Sequence, residues 1–344
     1  MHKHQRDTTR FTQFLLFKII LAALSNMNIA SIYRSGLGFV CGWLLALSFT
    51  APVYAQNKLN SVALTVGDLG NPFFVQIAHG AEAAAKQINP NVKFVALSSN
   101  YNVSNQINQM GDFVASGANL ILLNAADSKE IAPAVARAKA KHVVIVAVDV
   151  GADGGVDATV TSNNKQAGQL DGSFVADRLK GKGQIVIVNG PPVTAVTDRV
   201  AGFLEEIKKY PDIKILSQDQ NSRGTRDDAR AVMADLLTQF GKIDAVFAIN
   251  DPAAIGCELA AEQAHRKEFF IVSVDGAPDV VTLLRDKESL IAASAAQDPF
   301  KMAETAVNIG NDILNGKKPG QELTLIPVTL ITKDNVDQYK GWTK

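Results

Sequence analysis

Carboxylates and carboxamides recur at one kind of position in this 344-residue sequence, directly behind a short apolar run. Asn124 follows the run at 120–123, Asp149 the run at 143–148, Asn250 the run at 245–249 and Asp275 the run at 270–274; Gln297 follows Ala296. Behind the first run, at 62–66, stand Asn71, Phe73 and Phe74. Carboxylates accept hydrogen bonds and carboxamides both donate and accept, so together they pair hydroxyl groups in either direction. Aromatic faces cover apolar C–H surface. The chemistry open to this set is recognition of a small hydroxyl-bearing molecule. Each residue alone has a plainer reading, because Asn and Asp also cap the helix after a strand and Phe73 and Phe74 can be core. Their recurrence points to a cleft, since open α/β sheets bind ligands at the carboxyl ends of their strands.

Other chemistry finds little support. The sequence has no G-x-S-x-G elbow and no Walker loop. His79, His142 and His265 lie far apart without ligand spacing, and read as solvated positions. Asp149, Asp153 and Asp157 lack the closing glutamate of a calcium loop. Cys257, beside Gly256 in a helical stretch, reads as a buried small side chain. The expectation is a site with no catalytic residue, metal or cofactor.

The elements that must position these groups are strand–helix repeats. The run at 62–66 is β-branched and apolar, and Gly67, Asp68 and Gly70 break it. Asn71-Pro72 then reads as a helix cap followed by proline at the first helical position. Ile77, Ala78, Ala81, Ala84, Ala85 and Ile88 recur at helical spacing behind it. Runs at 62–66, 92–97, 120–123 and 143–148 alternate with alanine-rich amphipathic stretches, and runs at 185–188, 213–216, 245–249 and 270–274 repeat the alternation. Continuous apolar strands between helices predict parallel sheets covered on both faces. The fold class is α/β, two similar doubly wound parallel-sheet lobes with a break near 157–164.

Residues 1–55 stand apart. An uncharged apolar run at 36–50 follows Arg34, and Val53-Tyr54-Ala55 is a small-x-small cleavage pattern, so the segment reads as a secretory signal cut after Ala55. The run is too short for a membrane span. A second apolar patch at 14–24 lengthens the leader, and Met27 offers a second start. Removing the leader takes away five basic side chains and one acidic one, turning a net charge of zero into −4. Nothing in that balance suggests nucleic acid or an anionic membrane surface as a partner. Cys41 leaves with the leader, so Cys257 has no intrachain partner and the core alone must hold the fold.

The segments GNPFFVQIAHGAEAAAK, LILLNAADS, VAVDVGADG, DRVAGF, VFAINDPAAIG, VSVDGAPD and AAQDP occur in order between about residues 61 and 332. They resemble the signature segments of periplasmic sugar-binding proteins of type I, and more narrowly the ribose-type group that serves monosaccharide ABC importers. The resemblance implies two lobes joined by crossovers near 162–163, 297–298 and Pro327. The N-terminal lobe would then be 56–162 plus 298–326, and the C-terminal lobe 163–297 plus 327–344. It implies one neutral sugar or sugar alcohol between the lobes, held by Asn71, Phe73, Phe74, Asn124 and Asp149 from the first. Arg199, Asn250, Asp275 and Gln297 would face them from the second lobe and hinge. It further implies a periplasmic monomer that closes on its ligand and delivers it to a membrane permease.

Two positions depart from the ribose pattern. Val150 stands where ribose binders carry arginine, and Gly224 where they place a second stacking aromatic. The departures predict an open wall at Gly224 and a ligand with fewer hydroxyls, an alditol, pentose or deoxy sugar, unless Arg223 or Arg226 turns inward. Three other readings stay in view. A sensor presenting ligand to a chemoreceptor is compatible with the first. A nicotinamide-dependent enzyme is disfavoured, because GDLGNPFF fills the phosphate position with bulky groups. A transcriptional repressor would need a DNA-binding segment where the leader stands.

Overall fold

The computed structural model describes residues 59–342; the expected leader and its cleavage site lie outside them. The first sheet begins with β1 (Ser61–Val66), α1 (Pro72–Ile88), β2 (Lys93–Ser98), α2 (Val103–Ala115) and β3 (Leu120–Leu123). It continues with α3 (Ala132–Lys139), β4 (Val144–Val148) and β5 (Ala158–Ser162). The chain then builds α4 (Asn164–Arg178), β6 (Lys182–Asn189), α5 (Thr194–Ile207), β7 (Asp212–Asn221), α6 (Arg226–Gln239) and β8 (Ala245–Ala248). There follow α7 (Asp251–Gln263), β9 (Phe270–Asp275), α8 (Pro278–Arg285), β10 (Ile291–Ala296), α9 (Pro299–Leu314), β11 (Leu323–Ile326) and β12 (Thr329–Thr332). The strand orders are β11-β5-β4-β3-β1-β2 and β12-β10-β9-β8-β6-β7, two doubly wound sheets of six.

Local sequence explains most of this. The strands β3, β4, β8, β9 and β10 are buried along their whole length, as parallel strands covered by helices on both faces must be. Side chains of Asn71, Asn102, Asn163, Thr225, Asn250 and Asp298 each accept a backbone N–H in the first turn of α1, α2, α4, α6, α7 and α9. Among the strand-end residues Asn71 and Asn250 therefore do start helices, whereas α3 and α8, behind Asn124 and Asp275, have no side-chain cap.

The structure has more strands than the apolar runs predict. Segment 158–162, read as the break between lobes, is β5; β10, β11 and β12 are also strands. β5 and β11 alternate exposure along Ala-Thr-Val-Thr-Ser and Leu-Thr-Leu-Ile, and β10 is mostly alanine, so none shows a continuous β-branched run. The sheets are also not wholly parallel, since β12 pairs antiparallel with β10, Ala296 opposite Thr329. The chain passes between sheets after β5, after β10 and after β11. The last passage is only Pro327-Val328, which can enter the second sheet only at its near end; a parallel strand would need a crossover of a dozen residues.

One helix pair bears directly on the site. α4 and α5 approach so closely that a Cβ added at Gly168 would lie 1.9 Å from the Arg199 carbonyl oxygen, and one at Gly202 would lie 2.1 Å from that of Lys165. One turn beyond Arg199, Phe203 stacks on Phe247 of β8 at 4.3 Å between ring centroids. Backbone cannot yield as a side chain tip can, so Gly168→Ala gains about 1 kcal/mol of helix propensity and loses about 3 kcal/mol or more to overpacking. Gly111, in α2, has nothing within 4 Å of an added Cβ. Thermal unfolding of the two variants gives opposite signs: Gly111→Ala raises the melting temperature slightly and Gly168→Ala lowers it by several degrees. Equal shifts would remove close approach as the reason for glycine at 168.

Candidate functional site

The carboxyl ends of strands from both sheets line one cavity of about 80 Å3. All nine residues expected from sequence lie on its wall.

From the first sheet, Asn71 Oδ1 accepts from Phe73 N at 3.0 Å, so one residue both starts α1 and faces the cavity. Phe73 and Phe74 are buried edge-to-face, centroids 5.5 Å apart. Asn124 Oδ1 accepts from Gly67 N at 3.2 Å, and its Nδ2 donates to Val148 O at 3.3 Å and to Asp149 Oδ2 at 2.9 Å. Its donors are committed, so Asn124 orients Asp149. Asp149 has φ +70°, and its Oδ1 is buried without a partner. Burial pushes its carboxyl up to about 6, against the pull of Arg199 and of the Asn124 hydrogen bond.

From the second sheet comes Arg199, 4% exposed. Its Nε donates to Asn164 Oδ1 and its Nη1 to Ile249 O, both at 2.8 Å, and Nη1 stands 3.7 Å from Asp275 Oδ1. Asp275 Oδ1 also accepts from Gln297 Nε2 at 2.7 Å, while Gln297 Oε1 is buried without a partner. Burial pushes the Asp275 carboxyl well up, opposed by Arg199 and reinforced by the carboxylate of Asp251. Asp275 too has positive φ, at 142°. Asn250 Oδ1 caps α7 by accepting from Ala253 N at 2.9 Å, and Nδ2 donates to Gly224 O at 3.0 Å.

The wall at Gly224 has Asn250 and Ile249 beside it, and Val150, Val193 and Val196 also line the cavity. Gly224 has φ +70°, and a Cβ there would come 3.0 Å from Asn250 Nδ2 and 3.4 Å from Ile249 Cδ1. A side chain at 224 would thus crowd Asn250 and hold a strained backbone. Arg223 reaches the cavity, but Asp228 holds its guanidinium through Nε at 2.8 Å and Nη2 at 2.6 Å. Arg226 is absent from the wall and pairs with Asp279.

Three groups went unseen in the sequence. Tyr101 lies in the loop after β2 and meets Phe74 edge-on at 6.4 Å; the strand-end rule would have found it. The aliphatic wall was missed because the search was for polar side chains. Trp342 packs on Phe73 and donates Nε1 to Asp275 O at 3.0 Å, from a tail beyond the last strand that carries no signal. Among the described residues no His, Cys, Asp and Glu group could hold a metal ion.

Residues 62–318 match the model of the periplasmic binding protein domain. The chain belongs to the periplasmic binding protein family. It is 30% identical over 299 residues to the ribose import binding protein of Bacillus subtilis (strain 168), covering 84% of this chain and 95% of that one. It is 29% identical over 289 residues to the xylitol-binding protein of Mycolicibacterium smegmatis, covering 82% of this chain and 80% of that one. An ABC transporter solute binding protein from Mycobacterium smegmatis, crystallised with bound glycerol, shares its fold with a TM-score of 0.77 at 24% identity, over 83% of this chain and 98% of that one.

For this periplasmic binding protein the raised Asp149 carboxyl makes a stability prediction. Its folded value of about 6 lies above its usual 3.8, so protonation favours the folded state. That contribution is complete below pH 3.8 and is lost as pH rises through 6, about 3 kcal/mol in all. Asp149→Asn keeps the shape without the charge. Without ligand it melts above the parent protein at pH 7.5, with a gap that closes towards pH 4. A gap independent of pH would refute desolvation as the cause.

Proposed function

We propose that this chain is the solute-binding component of an ABC importer, capturing a neutral monosaccharide or sugar alcohol in the periplasm. The observation that carries this reading is the pair of buried acceptors, Asp149 Oδ1 and Gln297 Oε1, left without protein partners in residues that line the cavity. A buried acceptor without a partner is destabilising, and two hydroxyl donors remove the penalty. The ribose and xylitol specificities named for two relatives agree with a polyhydroxylated ligand.

In this reading ligand hydroxyls donate to Asp149 and Gln297, and Arg199 and Asp275 bracket a further hydroxyl. The amide hydrogens that Asn71 and Asn250 keep after capping reach ligand oxygens, and Phe73 and Phe74 cover ring C–H groups. Asn124 acts through Asp149. No bond is broken, and no residue is assigned a catalytic role. The lobes are 56–162 plus 298–326 and 163–297 plus 327–344, and bending at their three links closes them on the ligand. The closed form is what the permease recognises, and the protein works as a monomer exported by cleavage after Ala55.

Purified residues 56–344 will be stabilised in a thermal-shift screen by at least one pentose, hexose or alditol, since a ligand that binds only the folded state raises its melting temperature. With that ligand, Asp149→Ala and Asp275→Ala each weaken binding by about tenfold to a hundredfold or more in calorimetry. Unchanged affinity in both variants would put the site elsewhere. Intact-mass measurement of periplasmic material is expected to give a chain starting at Gln56, and a mature form retaining residues before Phe39 would refute the assigned leader.

A further inference from the structure

Polar and aliphatic side chains both line the cavity. Arg199, Asp275 and Gln297 form one connected set, joined by the Arg199–Asp275 pair and the Gln297–Asp275 hydrogen bond; one orphan acceptor, Gln297 Oε1, belongs to it and the other is Asp149 Oδ1. Val150, Val193, Val196 and Ile249 supply wall with no side-chain hydrogen-bonding group. Arg223, which also lines the cavity, is held in a two-point grip by Asp228, which Thr225 Oγ1 also contacts at 2.7 Å. Gly224 cannot add a side chain there without displacing Asn250 or Ile249. A ligand hydroxyl packed on the side chains of Val193 and Val196 would leave water and find no partner on them.

Resting on the sugar-binding reading, we infer that the cleft selects a deoxy sugar of monosaccharide size, hydroxylated along one edge and carrying a methyl group that packs on Val193, Val196 and Ile249. The hydroxyl edge meets Asp149 and Gln297, whose orphan oxygens accept its protons. The methyl group takes the aliphatic wall, and the opposite C–H surface lies on Phe73 and Phe74. An apolar pocket discriminates only modestly against an added hydroxyl, so the preference over the fully hydroxylated parent is about tenfold to a hundredfold.

Matched pairs test this directly in calorimetry with residues 56–344: 6-deoxy-D-glucose against D-glucose, D-fucose against D-galactose, L-fucose against L-galactose, and L-rhamnose against L-mannose. The expected result is that the deoxy member of at least one pair binds at least tenfold tighter than its parent. In Val196→Thr, which keeps the shape and adds a hydroxyl to the wall, that ratio collapses because the parent gains affinity. Parents that bind as well as their deoxy partners in all four pairs overturn the inference, as does a ratio that Val196→Thr leaves unchanged. Binding of ribose or xylitol with none of the four pairs overturns it while the sugar-binding reading stands. Failure of every sugar and alditol to bind overturns both.

Discussion

Arg199 is the buried cation of the site, bonded to Asn164 and Ile249 and paired with Asp275, and among the described residues no other Lys or Arg is buried. Its charge lowers the carboxyls of Asp149, Asp171 and Asp275, each raised by burial. Removing charged groups from water is tolerable only with partners in good geometry, and here one guanidinium serves several. Its own position is over-determined. Asn164, the first residue of α4 after the chain leaves the first sheet, accepts from Nε. Close approach of α4 and α5 sets its height, and the Phe203–Phe247 stack fixes α5 on the second sheet. The link between sheets, the helix packing and the cavity floor are thus one arrangement seen from three sides.

That arrangement carries stored cost. Asp149 and Asp275 both take positive φ, a region disfavoured for residues with a Cβ and worth about 1–3 kcal/mol each when imposed by the surroundings. Both carboxyls are also desolvated. The apolar strands behind them, buried along their length, supply the stability that lets two such residues persist. A site assembled at folding need not be assembled again at binding, and pre-organisation of this kind strengthens association.

How much of this could be read from the sequence depended on whether one residue did two jobs. Asn71 and Asn250 cap helices and line the cavity, so the local signal for a helix start also marked the site. Asp149 and Asp275 stood out because a charged side chain ended an apolar strand. Groups with one job, or with a partner distant in sequence, were invisible. The aliphatic wall looks like ordinary core. Tyr101 follows an edge strand whose exposure alternates, and Trp342 reaches Asp275 across 67 residues. The strands β5, β11 and β12 escaped for a related reason: a short strand with one wet face shows neither a long apolar run nor a turn of fixed type.

The placement of Trp342 makes the two ends of the folded chain unequal as points of attachment. Its indole N–H holds the backbone of Asp275 from beneath while its ring braces Phe73, so the tail is wired to both faces of the cleft. Ser61, by contrast, begins β1 about 20 Å from the cleft end of that strand. Replacing Trp342 is therefore felt at Asp275 and at Phe73 together, although neither is near it in sequence.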